Sequence, residues 1–212
     1  MATAKDQFYE KKAEILIKKL QARHFDACYC PTGEDAVQKI LEMIPEGASI
    51  GWGGVTTAKE IGLLDALRKA NYRLLDRESA ATAEEKAQIQ KECLFADYFL
   101  MSANGISMDG QMVNIDGAGN RVAALIYGPK NVLIVAGMNK VAPTLEQAVD
   151  RARNVAAPIN AIRLNRNTPC ASTGSCADCR SDDCICSHIV ITRNCRPAGR
   201  IRFVLIGEDL GF

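Results

Sequence analysis

The chain has 212 residues, 48% hydrophobic and 24% charged, enough to bury one substantial core, either as a single large domain or as a domain with a small appendage. Its 26 Lys and Arg balance 25 Asp and Glu with no long basic run, which argues against a nucleic-acid partner. Apolar runs such as "VAALIY" and "VLIVAG" fall far short of the roughly 20 residues that cross a bilayer, and the charged N-terminus lacks the uninterrupted apolar stretch of an export signal. A cytoplasmic protein without membrane partners is expected.

Tyr9, Ala13, Leu16, Ile17 and Leu20 recur at helical spacing and predict an amphipathic first helix with a Lys-rich outer face. "FDACYC" is a short strand ended by Pro31 and Gly33, and Ala36, Val37, Ile40, Leu41 and Ile44 form a second helical stripe. "ASIGWGG" is a strand running into a glycine turn. Thr57 and Glu60, three apart, suit a capping hydroxyl and its reciprocal carboxylate, opening a helix through Leu63, Leu64 and Leu67. "YRLLD" and "DYFLMS" are strands around the helix "AEEKAQIQKECLF". Asp109-Gly110 at the centre of "ISMDGQMVN" signals a hairpin. "NRVAALIYG" reads as a helix, "NVLIVAG" as a buried strand, "PTLEQAVDRARNVAA" as a helix with Thr144 and Gln147 at its start, and "IRFVLIG" as a last strand. Strands apolar on both faces and alternating with helices predict an α/β fold, a mainly parallel sheet covered by helices on both faces. The alternation stops near Asn165. The whole chain, 1–212, reads as one domain carrying a Cys-rich insertion at 168–196.

In such folds ligands bind beyond the carboxyl ends of the strands. "GWGGVTT" lies at one such end, where glycines let backbone approach a ligand; it matches neither the dinucleotide nor the phosphate-loop pattern, and a purely structural turn is the equal alternative. "NIDGAGNR" offers Asp116 as a proton acceptor, Asn114 and Asn120 as donors and acceptors, and Arg121 as a grip for an oxyanion, while the plainer reading makes Asp116 a helix cap. Asn104 in "SANG", and Asn139 and Lys140 in "GMNK", stand at two further strand ends.

The succession "SIGWGGVTTAKEIGLLDAL", "MSANGISMDGQMVNIDGAGNRVAALIYGPKNVLIVAGMNKV" and "LIGEDLGF" resembles the lactate-utilisation, or LUD, domain over nearly the whole chain. The resemblance implies the layered fold of the sugar-phosphate isomerase and CoA-transferase superfamily. It also implies a strand-end cleft for a small anionic metabolite, lined by Gly53, Gly54, Thr56, Thr57, Asn104, Asp116, Asn120 and Arg121. Some members act beside iron–sulfur proteins in oxidising lactate to pyruvate, so an iron–sulfur redox partner is implied as well. Asp116 and Arg121 are the candidate catalytic pair. Glu60, the nearest carboxylate after the glycine turn, is not assigned the nucleophilic role of a CoA-transferase glutamate.

Six of the nine cysteines fall between Cys170 and Cys195. Cys176 and Cys179 form a C-x2-C pair able to face one centre, and a thiol cluster without an export signal points to metal or redox chemistry rather than disulfides. Short, Cys-bearing LUD members resemble this segment in "PC", "TGxCxDC" and "IC", which singles out Cys170, Cys176, Cys179 and Cys186 as ligands and leaves Cys184 extra. A 4Fe-4S cluster is the expected occupant and zinc the alternative. Cys195 is a spare ligand candidate, His188 could replace a sulfur, and Cys28, Cys30 and Cys93 are expected as small buried residues. Three functions stay open: carboxylate utilisation with a metal centre, a sugar-phosphate or acyl-CoA enzyme with a structural zinc, and a non-catalytic subunit of a redox complex. A homodimer is expected from apolar positions on the outer helices.

Overall fold

The computed structural model describes residues 2–212. Six parallel strands form the main sheet: β1 (Asp26–Cys30), β2 (Ser49–Trp52), β3 (Arg73–Leu75), β4 (Tyr98–Met101), β7 (Asn131–Gly137) and β10 (Ile201–Ile206), in the order β1-β10-β7-β4-β2-β3. β7 and β10, both nearly continuous apolar runs, are adjacent interior strands whose side chains are buried on both faces. One face packs on α1 (Ala4–Ala22) through Tyr9, Ala13, Leu16 and Leu20, joined by Ala124 and Leu125 of α6 (Asn120–Tyr127). The opposite face packs on α2 (Gly33–Met43) and α4 (Leu63–Lys69) through Ala36, Ile40, Leu63 and Leu67. Phe25 and Phe203 meet edge-on in the first core, ring centres 5.3 Å apart.

Local chemistry explains most element starts. Thr3 with Asp6, and Thr32 with Asp35, form reciprocal capping boxes at α1 and α2, and Thr82 caps α5 (Ala83–Glu92). Thr144 caps α7 (Leu145–Arg151) as expected, although the helix runs further, through a wide turn at Ala152–Ala156 into α8 (Ala157–Arg163). The capping pair expected at Thr57 and Glu60 is not formed. α3 (Thr56–Glu60) begins two residues earlier with Val55 at its cap, Gly62 at φ 75° separates it from α4, and the Thr57 hydroxyl bonds elsewhere.

A second sheet adds antiparallel pairing to the parallel plan. β5 (Gly105–Ser107) and β6 (Met112–Asp116) are the hairpin read from Asp109-Gly110, with Gly110 at φ 87°. β8 (Val141–Ala142) joins parallel to β5, and β9 (His188–Thr192) joins antiparallel to β6 with Asp116 opposite His188, giving the order β8-β5-β6-β9. The Cys-rich stretch therefore ends in an edge strand of this sheet, and it begins with the short α9 (Pro169–Thr173) capped by Thr168. Among the described residues no helix is long and apolar enough to cross a membrane.

Replacing Phe203 by Ala removes a fully buried ring from the centre of the sheet, and urea unfolding should show a loss of about 3–5 kcal/mol. A loss below 1 kcal/mol would mean that this core repacks freely.

Candidate functional site

The carboxyl ends of β2, β3, β4 and β7, together with the end of β6, surround a cleft of two connected chambers. Gly54, Arg121 and Asn160 belong to the walls of both. The outer chamber, a cavity of about 300 Å³, is lined by Arg77, Lys86, Arg121, Arg163 and Arg166, with Asp116 its one carboxylate among the described residues. The inner chamber, about 40 Å³, is bounded by Thr56, Ser102, Asn104, Arg121, Lys140 and Phe212.

Asp116 sits at the joint between β6 and α6 and is 4% exposed. Its Oδ1 accepts from Gly119 N at 3.2 Å and its Oδ2 from Arg121 N at 3.2 Å, so it caps α6; Oδ2 also pairs with Arg121 Nε at 3.1 Å. The plainer sequence reading of Asp116 as a cap thus holds, with an ion pair added, and this double engagement leaves it poorly placed to act as a free base. Burial lowers the Arg121 pKa, an effect the Asp116 charge opposes. The stem of Arg121 crosses Gly53 so closely that a Cβ there would collide with it. Gly53 is therefore glycine to admit an arginine from the same chain, and it stands behind the wall.

The remaining sequence candidates divide in the same way. Gly54 and Asn120 line the outer chamber, and Thr56 lines the inner one. Asn104 lines the inner chamber while its Oδ1 accepts from Ile115 N at 2.9 Å, tying the end of β4 to β6. Thr57 is fully buried and its hydroxyl accepts from Lys140 Nζ at 3.0 Å. Glu60 accepts from Gly211 N at 2.6 Å and lines neither chamber.

Lys140, noted in the sequence but given no role there, is the most unusual group in the cleft. It is 3% exposed, donates to Ser102 Oγ at 2.9 Å as well as to Thr57, and has no carboxylate within ion-pair distance among the described residues. Burial first and then the charge of Arg151 lower its pKa to about 7; Glu60 opposes them, and Arg121 adds a smaller lowering effect. Arg151 braces this floor by donating to Asn139 O at 3.1 Å and Asn104 O at 2.6 Å. Arg77, Arg163, Arg166, Ser102, Asn160 and Phe212 were also missed in the sequence. Arg77 and Ser102 follow strand ends and could have been found by that rule; the others reach the cleft only through tertiary packing.

On the far side of the β6 turn lies a third cavity, about 70 Å³, lined by Cys170, Cys176, Cys179, Cys184 and Cys186. All four cysteines singled out by the sequence resemblance share this wall, and Cys184 joins them. Cys186 N donates to Cys184 Sγ at 3.4 Å, Arg153 Nη2 to Cys176 Sγ at 3.6 Å, and Thr168 Oγ1 lies 3.3 Å from Cys170 Sγ. Burial, with the nearby Cys184, Cys170 and Cys176, pushes the Cys186 thiol up to about 12. Among the described residues no three His, Cys, Asp or Glu side chains converge tightly enough to clasp a single ion. Cys195 is not a spare ligand: it is buried in the main core, accepting from Ile201 N at 3.2 Å. His188 is exposed beside Gly119 and does not line the thiol cavity. Cys30 and Cys93 are buried as expected, whereas Cys28 is only half-buried.

The LUD domain model matches residues 13–206. The chain belongs to the LUD domain family. No curated protein matches it. A solved DUF162-family protein from Deinococcus radiodurans is similar in fold at 10% identity, with a TM-score of 0.55, covering 93% of this chain and 97% of that one. The eIF2B beta subunit from Chaetomium thermophilum gives a TM-score of 0.37 at 16% identity, over 54% of this chain and 44% of that one. The eIF2B delta subunit of the same organism gives 0.38 at 13% identity, over 66% and 57%.

Below pH 7 the buried Lys140 ammonium costs the LUD fold its full desolvation penalty, because folded and unfolded lysines are then both charged. Between pH 7 and 10.5 the unfolded state binds more protons, so this cost fades as pH rises. Lys140→Met should therefore raise the unfolding free energy by a few kcal/mol at pH 7, with the gain shrinking toward pH 10 in parallel urea titrations. A gain independent of pH would show that the lysine is not desolvated.

Proposed function

We propose that this LUD-domain protein binds a small anionic metabolite of the lactate and pyruvate kind in the two-chamber cleft and carries an iron–sulfur cluster in the adjoining thiol cavity, serving carboxylate oxidation. The observation that supports this most is adjacency: Ile185 lines both the thiol cavity and the outer chamber, and its backbone packs against Gly117 in the turn after Asp116.

Arg163 and Arg77 supply the charge that draws in an anion, each with forked donors suited to a carboxylate, while Arg166 shares its charge with Asp183 at 3.5 Å. Arg163 is held by Asn160 Oδ1 at 2.7 Å, and its guanidinium lies 5.8 Å from the Phe212 ring centre. Asp116 orients Arg121 between the chambers. Phe212 shields the inner chamber from water, and Lys140 with Thr57 and Ser102 provides a site where a proton can be held or released near neutral pH.

The thiol cavity suits a cluster better than zinc. Zinc requires four ligands at about 2.3 Å from one point, whereas the thiolates of a larger iron–sulfur cube stand further apart around a shared space. Cys170, Cys176, Cys179 and Cys186 would hold it, with Cys184 beside them, and when bound it supplies one-electron transfer. Soft sulfur donors in a partly buried pocket fit that group.

The arginine-rich outer chamber, larger than a three-carbon acid needs, favours a second reading in which the ligand is phosphorylated and the chain is a cofactor-free enzyme of sugar phosphates or acyl-CoA with a structural metal. Calorimetry with lactate, pyruvate and inorganic phosphate separates the two, and Arg163→Ala should weaken the preferred anion about tenfold. Reconstitution with iron and sulfide without oxygen should give a broad visible absorption that dithionite bleaches and that Cys176→Ser or Cys179→Ser abolishes. A colourless protein that retains zinc would overturn the cluster assignment.

A further inference from the structure

Lys140 differs from an ordinary structural lysine in its surroundings. A lysine kept for stability alone is paired with a carboxylate, because an unpaired buried ammonium is costly. Here the buried amine has two hydroxyls, Thr57 Oγ1 and Ser102 Oγ, and it forms part of a chamber wall instead of filling core. The groups facing it are Arg151 from α7, Arg121 from α6 and Glu60 from α3; the Glu60 carboxylate instead fastens Gly211 at 2.6 Å. That contact draws the 210–212 segment over the amine: a Cβ at Gly211 would lie 3.0 Å from Lys140 Nζ, and Asn139 Oδ1 holds Leu210 N at 3.2 Å. The amine is thus roofed by backbone, floored by hydroxyls and open toward Asn104, Arg121 and Phe212.

We infer that Lys140 is a catalytic nucleophile that captures the C2 carbonyl of a 2-oxo acid as an imine in the inner chamber, an inference that rests on the cleft being a carboxylate site. The acid's carboxylate faces the arginines, which places the adjacent carbonyl carbon on the Lys140 side. The nitrogen lone pair attacks C2, a C–N bond forms and the carbonyl pair moves to oxygen. A proton passes from nitrogen to that oxygen, the C–O bond breaks, and oxygen leaves as water with one further proton from solvent, giving a protonated imine. Nothing is oxidised or reduced. The cationic nitrogen, unwelcome beside Arg121 and Arg151 alone, is balanced by the carboxylate that the acid brings.

Lys140 suits this step because an amine must be neutral to attack. With its pKa lowered to about 7 by burial, about half the molecules carry a free amine at that pH, against roughly one in a few thousand for an exposed lysine. Capture should therefore rise about tenfold between pH 6 and pH 8 and then level off.

The test is borohydride trapping on the full chain. Protein is incubated with pyruvate, reduced with sodium borohydride and mapped by peptide mass spectrometry, while calorimetry measures pyruvate binding to the same preparation. The expected result is a carboxyethyl group on Lys140, following the stated pH profile and absent from Lys140→Met, whose fold is checked by circular dichroism. Pyruvate that binds without marking Lys140, or that marks surface lysines equally, overturns the inference and leaves the anion-binding reading intact. Absence of any pyruvate binding to the unaltered protein overturns both.

Discussion

A single carboxylate side chain, Asp116, lines a cleft whose other charged side chains among the described residues are all cationic, and its allocation governs the site. It caps α6 and neutralises Arg121, whose stem in turn presses on Gly53, so one residue binds the glycine turn, the hairpin strand and the following helix together. Lys140 is left without a negative partner. In a low-dielectric setting an amine so placed lowers its cost by giving up its proton, and two hydroxyls are the partners that serve both of its states. A cationic entrance and an inner amine that holds its proton less tightly than an ordinary lysine follow from the same shortage of negative charge.

The small sheet brings the thiol cavity alongside the cleft. β6 carries Asp116 at one end and pairs with β9 along its length, so the strand that closes the thiol loop is registered against the strand that shapes the cleft. Ile115 faces the thiol cavity while the next residue, Asp116, faces the outer chamber, as the alternation of a strand requires. Asn114, on the Asp116 side of that strand, is fully buried with no partner for its side-chain amide, so this strand keeps an uncompensated polar group directly behind the cleft. The two cavities are faces of one strand and its turn, not distant features joined by a long path.

What the sequence revealed follows from how local each signal is. Continuous apolar runs such as "NVLIVAG" mark central parallel strands because burial on both faces erases alternation, and Asp109-Gly110 marks the hairpin because few residues accept its positive φ. β8 and β9 escaped because a two-residue strand has no period and a five-residue strand with exposed isoleucines looks like a loop end. Thr57 and Glu60 have the spacing of a cap, but tertiary partners, Lys140 and Gly211, claim both side chains. That the thiol residues gather was legible because they lie at short intervals in one loop, and five of them line one cavity. Lys140 was visible only as a polar residue after an apolar strand; its significance lies in the carboxylate that is missing from its surroundings, which no spacing can display.

The most direct test of this account is an NMR titration of the Lys140 side-chain nitrogen in the unliganded protein. A midpoint near 7, well apart from the other lysines, is the result expected of a desolvated amine without a carboxylate. A midpoint at the ordinary value near 10.5 would mean that water or a negative group reaches it, and the charge allocation described for the cleft would be wrong.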